Sequence, residues 1–308
     1  LSESGVHPLT VDELIEISGQ DVDVGSTLLG YGQSNGSDEL RSLIAGQYAG
    51  ATDASVLATV GGAEANFTCF WHLFEGGAKA AIILPTYGQV PGLLESFRSR
   101  LSPVHLREED GWQPDMEALE AALEDGASFV LITNPNNPTG VSLTRESMDR
   151  IAELTEKHGA WILADEVYAG AETGEERTPS FWGSHERVLV TNSLSKAYGL
   201  PGLRLGWIMG PDALINELWG RTDYTTIAPA SVSDQLACVA LASGTRDRIG
   251  ERTRGIVRKN LGVVEQWMAA QDGRFRYQAP DAGAICYTHY DDPINSSEFA
   301  EKMRVEKS

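Results

Sequence analysis

Residues 187–207 read RVLVTNSLSKAYGLPGLRLGW, a short apolar run that gives way to a polar segment with turn-forming residues. The apolar part, 187–191, has the length and composition of a strand that is buried on both faces. Three further runs, 81–84, 128–133 and 160–164, have the same character. The sequence therefore predicts four buried strands.

Amphipathic stretches with the period of helices lie between these runs. One covers 115–123, and another covers 145–158, with Thr144 as its N-cap and Gly159 just past its end. Strands that alternate with helices predict an α/β fold, in which a mainly parallel sheet carries helices on both faces. Ligands of such sheets bind at the carboxyl ends of the strands, so chemistry is expected just after each strand.

The pattern becomes mainly helical from about Pro211 onwards. Helices are predicted at 212–221, 232–242 and 245–270, and the segment 274–289 again has the pattern of strands. We expect a second, smaller domain to begin inside this helical stretch.

The 308-residue chain is strongly acidic, with a net charge of −20. Such a charge repels nucleic acid and anionic membranes, so neither is an expected partner.

The sequence lacks an apolar run of about 18 residues and an N-terminal signal peptide, which predicts no membrane span and a cytoplasmic location. The three cysteines form no CxxC pair and the six histidines share no metal-ligand spacing, so we expect no disulfide framework and no metal.

Polar segments follow three of the predicted strands. They are NPNNPTG at 134–140, DEVY at 165–168 and SLSK at 193–196. Taken singly, the first two are compatible with a turn and an acidic loop, and the third has little specificity. Because all three fall where the carboxyl ends of strands meet, together they predict one binding site.

The side chains of these segments have complementary chemistry. A lysine amine forms a Schiff base with an aldehyde, and an aspartate can hold a pyridine nitrogen protonated. Asparagine and tyrosine can donate hydrogen bonds to a phenolate oxygen, while arginine and serine bind phosphate. Aldehyde, pyridine, phenolate and phosphate are the functional groups of pyridoxal 5′-phosphate (PLP).

The combination of NPNNPTG, DEVY and SLSKAYGLPGLRLGW resembles the fold-type I PLP enzymes of the class I/II aminotransferase family over nearly the whole chain. The resemblance implies an aspartate-aminotransferase-like homodimer, whose subunit has a three-layer α-β-α large domain and a smaller α+β domain. On this basis 26–220 is the large PLP-binding domain, and 1–25 and 221–308 are the two parts of the small domain.

The resemblance also implies roles for individual residues. Lys196 matches the Schiff-base lysine, and Asp165 matches the partner of the pyridine nitrogen. Tyr168 and Asn137 match the two donors to the ring oxygen. The other implied positions bind phosphate (Gly62, Ala63, Ser193, Arg204 and, more weakly, Ser195), stack on the ring (Tyr87), reach the neighbouring subunit's cofactor (Tyr31) or contact the substrate (Gly5).

Transamination between an L-amino acid and a 2-oxo acid is the implied activity. Elimination, replacement or cyclisation of an amino acid stays open, because the segments 4–7 and 221–226 resemble those of capreomycidine-synthase-type cyclases, which belong to this family. A third alternative is a non-catalytic PLP-fold module. The acidic charge and the competent residue at every cofactor position argue against that reading.

The chain departs from the family at both ends. Family members usually continue well past residue 308 and carry there an arginine that binds the substrate α-carboxylate, and they also begin earlier. We therefore expect the small domain to be incomplete at its C terminus; the alternative is a different carboxylate site. The substrate amino acid stays open.

Overall fold

The computed structural model describes residues 4–75 and 77–307. The helices are α1 (Val11–Ser18), α2 (Asp38–Ala45), α3 (Gly61–Phe74), α4 (Gln89–Ser96), α5 (Met116–Glu124), α6 (Arg145–His158), α7 (Asp212–Thr222), α8 (Ser231–Leu241), α9 (Ser243–Ala269) and α10 (Ser296–Lys307). The strands are β1 (Val56–Thr59), β2 (Lys79–Leu84), β3 (Arg100–Arg107), β4 (Gln113–Pro114), β5 (Phe129–Thr133), β6 (Trp161–Asp165), β7 (Val188–Ser193), β8 (Gly206–Met209), β9 (Phe275–Tyr277) and β10 (Thr288–Tyr290).

Eight strands form one sheet in the order β1-β8-β7-β6-β5-β2-β3-β4. The four predicted strands are β7, β6, β5 and β2, which are neighbours at the centre of the sheet and pair in parallel. β3 extends the parallel part, while β8 lies antiparallel between β7 and β1, and β4 pairs antiparallel with β3. The prediction of a mainly parallel sheet is confirmed.

Side chains alternate between the two faces of this sheet, as the period of a strand requires. Val130 and Ile132 of β5 pack into a core with α2, α5, α6 and α8, whereas Phe129 and Leu131 pack into a second core with α3, α4 and α7. Helices therefore cover both faces, which confirms the three-layer α-β-α architecture.

The boundaries of α6 follow from its capping residues. The hydroxyl of Thr144 accepts a hydrogen bond from the backbone N–H of Ser147 (3.1 Å), and Gly159 ends the helix in the left-handed region at φ +65°. The predicted helix and both of its predicted caps are confirmed.

The chain after β8 is mainly helical, as predicted. α8 packs against α1, α2 and α9, and α9 leads to β9 and β10, which pair antiparallel. The buried residues of α8 belong to the same core as the sheet, and the domain boundary at residue 221 stays a prediction. Within the described ranges, no helix combines the length and apolarity needed to cross a membrane.

Close backbone contact joins the start of α3 to the ends of β1 and β7. Gly206 opens β8 and pairs with Thr59 at the end of β1 and with Ser193 at the end of β7. A Cβ on Gly206 would lie 2.6 Å from backbone atoms of Gly61 and Gly62, so only glycine permits this approach. The fold thereby fixes the position of the first turn of α3 relative to the end of β7.

Candidate active site

A cavity of about 740 Å³ (the Lys196 cavity) opens at the carboxyl ends of the central strands. Of the twelve site residues predicted from the sequence, ten line it. They are Gly62, Ala63, Tyr87, Asn137, Asp165, Tyr168, Ser193, Ser195, Lys196 and Arg204. Most of them end a strand or lie in the segment that follows one, which is where a parallel sheet covered on both faces places its ligand.

Asp165 is the last residue of β6, and its side chain is buried. Its Oδ2 accepts a hydrogen bond from Nδ2 of Asn66 (2.9 Å), and its Oδ1 accepts one from the backbone N–H of Val167 (3.2 Å). Burial raises the pKa of Asp165, while these two donors and the positive charge of Lys196 oppose the rise. A cationic partner, such as a protonated ring nitrogen, would stabilise this buried carboxylate further.

Tyr168 and Asn137 place two polar groups side by side. Nδ2 of Asn137 donates a hydrogen bond to the phenol oxygen of Tyr168 (3.2 Å), and the hydroxyls of Tyr168 and Ser4 lie 2.8 Å apart. The ring of Tyr168 is buried against Gly283, where a Cβ would lie only 2.9 Å from Cδ1 of the ring. This packing fixes the phenol next to the amide, so both can donate to one acceptor oxygen.

Donor groups for an anion gather at the start of α3. Gly62 and Ala63 lie in the first turn, where backbone N–H groups have no acceptor within the helix. Oγ of Ser193 lies beside Gly62, and the guanidinium of Arg204 occupies the space that a side chain at Gly61 would need. This donor set (the anion cradle) suits a phosphate.

Lys196 lies on the loop between β7 and β8, and its side chain is partly buried in the cavity. Its amine is a nucleophile suited to an aldehyde. On the same loop, Oγ of Ser195 lies 3.5 Å from Nη1 of Arg204. Tyr87 lines the cavity with 42% of its surface exposed, and its stacking on a ring stays a prediction.

Tyr31 is located outside the Lys196 cavity. It is 86% exposed and lines a neighbouring cavity of about 810 Å³, which also contains Arg204. Gly5 adjoins Ser4, which does line the Lys196 cavity. The roles of Tyr31 and Gly5 stay predictions.

The cavity also contains residues that the sequence did not indicate. Asn66 lies on α3 one turn beyond Gly62, so the helical period alone could have pointed to it. Ile285 and Cys286 come from a segment distant in sequence, and only the fold brings them to the cavity.

Glu166 is a buried carboxyl group behind the wall of the Lys196 cavity. It lines a second cavity of about 440 Å³, whereas its neighbour Asp165 lines the first. Its Oε1 accepts hydrogen bonds from the backbone N–H of Phe181 (2.9 Å) and the hydroxyl of Ser180 (3.0 Å). Burial raises the pKa of Glu166 to about 8, so its neutral form predominates at pH 7.

The chemistry of the Lys196 cavity fits PLP group by group. The amine suits the aldehyde, the buried carboxylate suits the ring nitrogen, the phenol and amide suit the ring oxygen, and the anion cradle suits the phosphate. In a three-layer fold with a parallel sheet, this fit defines the class of fold-type I PLP-dependent enzymes.

The sequence model of the family described as Aminotransferase class I and II matches residues 5–308, and the chain belongs to this family. Its cofactor is accordingly PLP. The chain is 28% identical over 306 residues to capreomycidine synthase of Streptomyces vinaceus, covering 98% of this chain and 78% of that protein. It spans only 56% to 66% of the length of six curated aminotransferases that it matches.

Two solved structures are close to this fold. The crystal structure of a PLP-dependent aminotransferase from Streptococcus suis has a TM-score of 0.89 at 30% identity, covering 98% of this chain and 82% of that one. The PLP-dependent cyclase OrfR has a TM-score of 0.83 at 26% identity, covering 92% of this chain and 74% of that one. The similar structures thus include both an aminotransferase and a cyclase.

Replacing Glu166 with Gln tests the protonation of the buried carboxyl group. Burial raises the pKa of Glu166 from 4.5 to about 8, so between these two pH values Glu166 is protonated in the folded protein and ionised in the unfolded chain. Wild-type stability should therefore fall as the pH rises through that window. Gln keeps an acceptor oxygen and cannot ionise. We expect the Tm of Glu166→Gln, measured against that of the wild type with PLP present, to rise between about pH 5 and about pH 8.

Glu120→Gln is the matched control. Glu120 accepts a hydrogen bond from Lys157 (2.7 Å), which lowers the pKa of Glu120, so this variant should gain no stability as the pH rises. A Tm difference for Glu166→Gln that stays constant across the pH range would show that Glu166 is ionised in the folded protein.

Proposed function

We propose that this chain is a PLP-dependent aminotransferase that moves an amino group between an L-amino acid and a 2-oxo acid. The observation that carries the proposal is the single cavity that joins Lys196 and Asp165 to the anion cradle. The likeness to the S. suis aminotransferase over 98% of this chain supports it. All ten predicted residues in the cavity fall within 26–220, which we propose as the PLP-binding domain.

PLP supplies, when bound, an aldehyde that links to amines and a ring that withdraws electrons from the substrate Cα. Lys196 has two roles in this proposal. Its Nζ would hold the aldehyde of the cofactor in the resting enzyme, and its amine would take the proton from the substrate Cα as a general base during the reaction.

The remaining residues hold and tune the ring. The carboxylate of Asp165 keeps the proton on the ring nitrogen, which preserves the electron-withdrawing power of the ring. Tyr168 and Asn137 donate to the ring oxygen, and the anion cradle binds the phosphate. Anchoring at several points fixes the orientation of the ring relative to Nζ of Lys196.

Cyclisation of an amino acid is the second candidate function. It is favoured by the likeness to capreomycidine synthase over 98% of this chain and to OrfR. The two segments that resemble such cyclases lie near the site. Ser4 lines the Lys196 cavity, and the hydroxyls of Thr225 and Thr226 donate to Oε1 of Glu64 in the first turn of α3 (2.6 Å each).

Lys196→Ala removes the proposed covalent anchor and base. We expect PLP to stay bound through the anion cradle, without the visible absorbance of a lysine-linked cofactor, and the reaction with amino acid to slow about 10²- to 10⁴-fold. Absorbance spectra and borohydride reduction followed by peptide mass analysis measure the link. The control is Lys157→Ala, which removes a surface lysine bonded to Glu120. A covalent PLP adduct that survives in Lys196→Ala would refute the assignment.

A half-reaction distinguishes transamination from cyclisation. Holoenzyme is mixed, without any 2-oxo acid, with each of the common L-amino acids in turn. We expect the best substrate to convert the bound PLP to its aminated form and to yield one 2-oxo acid per site, because the amino group has no acceptor. Repeated turnover under these conditions, with the cofactor still in its aldehyde form, would favour the cyclase instead. Mass spectrometry of the product and absorbance of the cofactor report the outcome.

We also propose that the enzyme is a homodimer in which Tyr31 reaches the anion cradle of the partner subunit. Leu28 and Leu29 are each 84% exposed next to Tyr31, and such an apolar surface favours association. Arg204 of the anion cradle also lines the neighbouring cavity that contains Tyr31. A tyrosine that a second subunit inserts into this neighbouring cavity would therefore lie near the anion cradle.

Mixing two defective variants tests this arrangement. Tyr31→Ala and Lys196→Ala should each have low activity alone, because each lacks one residue of the shared site. Subunit exchange should restore about a quarter of wild-type activity, since half of the dimers are mixed and each of those holds one complete site. A monomer in solution, or a mixture no more active than its components, would contradict the shared site.

A further inference from the structure

A buried chain of hydrogen bonds ends at Asp165. Oγ1 of Thr191 donates to Oδ1 of Asn66 (2.7 Å), and Nδ2 of Asn66 donates to Oδ2 of Asp165 (2.9 Å). The exposed fractions of Thr191, Asn66 and Asp165 are 0%, 3% and 7%, so water competes little for these bonds. The three residues come from β7, α3 and β6.

The direction of these bonds follows from the chemistry of the groups. An ionised carboxylate only accepts, so Asn66 must turn its Nδ2 toward Asp165 and its Oδ1 toward Thr191. That amide oxygen in turn requires the hydroxyl of Thr191 to donate. In the structure both carboxyl oxygens of Asp165 accept hydrogen bonds, Oδ2 from Asn66 and Oδ1 from the backbone N–H of Val167, an arrangement that satisfies an ionised carboxylate at both oxygens.

The elements around Asn66 fix its position. Asn66 lies on α3 one turn after Gly62 and Ala63, so one helix carries both part of the anion cradle and the donor to Asp165. Thr191 pairs with Asp165 across β6 and β7, which places the relay's first donor beside its last acceptor. Nδ2 of Asn66 also reaches Oε1 of Gln89 at 3.4 Å.

We propose that Asn66 and Thr191 form a positioning relay: Thr191 orients the amide of Asn66, and that amide holds Asp165 as the ionised carboxylate that a protonated ring nitrogen requires. This inference rests on the proposed PLP function. In this proposal Asn66 and Thr191 act only through Asp165 and do not contact the substrate. Of the contributions that oppose the burial-driven rise in the pKa of Asp165, the hydrogen bond from Asn66 is the largest. Loss of the amide should therefore favour a protonated Asp165 and a ring nitrogen without its proton.

Asn66→Leu tests the relay by removing the amide at similar size. The variant should still bind PLP and show the lysine-linked absorbance. Its half-reaction rate, measured with the amino acid that reacts fastest with the wild type, should fall roughly 10- to 100-fold, as expected for losing a hydrogen bond to a charged group. The pH midpoint of its visible absorbance change should move to higher pH, because a ring without its positive charge withdraws fewer electrons. A loss of packing alone would not move that midpoint.

Thr191 supplies a second, milder pair of variants. Thr191→Val keeps the shape of the side chain and removes the donor, and we expect the half-reaction to slow roughly 2- to 10-fold with the same direction of spectral shift. Thr191→Ser keeps a hydroxyl donor and should have most of the wild-type rate and the wild-type midpoint.

Thr68→Val is the matched control on α3. Thr68 is fully buried, and its hydroxyl has no hydrogen-bond partner in the described part of the chain, so its removal should change neither spectrum nor rate. If Asn66→Leu and Thr191→Val bind PLP with the midpoint and rate of the wild type, the relay is wrong while the PLP function stands. If the wild type itself shows no lysine-linked absorbance with PLP, both the function and the relay are wrong.

Discussion

The backbone of Gly206 packs directly against the start of α3, and the spacing of the groups proposed to bind the cofactor depends on this contact. Gly206 is also paired with the last residues of β1 and β7, so one position ties together two strand ends and a helix N-terminus. A side chain at residue 206 would clash with backbone atoms, so a change of side-chain rotamer in the neighbouring residues could not relieve that clash. The fixed distance between the first turn of α3 and the loop of Lys196 would let one rigid cofactor meet both, as proposed.

The centre of the fold could be predicted because burial on both faces leaves a clear sequence pattern. β2, β5, β6 and β7 are almost fully buried, and each contains an apolar run that stands out from the amphipathic helices between them. Of the flanking strands, β3 lacks this pattern because it alternates exposed and buried positions and contains a proline. β1 and β8 are buried at every position, but with only four residues each they are too short to be told from other short apolar runs.

The candidate site could be predicted to the extent that its residues stand in contiguous segments after strands. Asp165 and Lys196 meet that condition. Asn66 and Cys286 do not, because each reaches the cavity through tertiary contacts between segments far apart in the sequence. The position of Tyr31 shows a different limit: in one chain it faces an open surface, and its predicted role depends on a second subunit.

The adjacent pair Asp165 and Glu166 shows how the fold gives two buried carboxyl groups different surroundings. Both side chains are buried, and burial raises the pKa of both. The difference lies in their surroundings. The Asn66 amide, a backbone N–H and the charge of Lys196 all lower the pKa of Asp165 against this rise. The pKa of Glu166 is lowered by a backbone N–H and a hydroxyl, but the negative charge of Asp165 raises it. Because two neighbouring carboxylates would repel each other in a low dielectric, a neutral Glu166 would favour a charged Asp165 on the side of the strand where a cationic ring would bind.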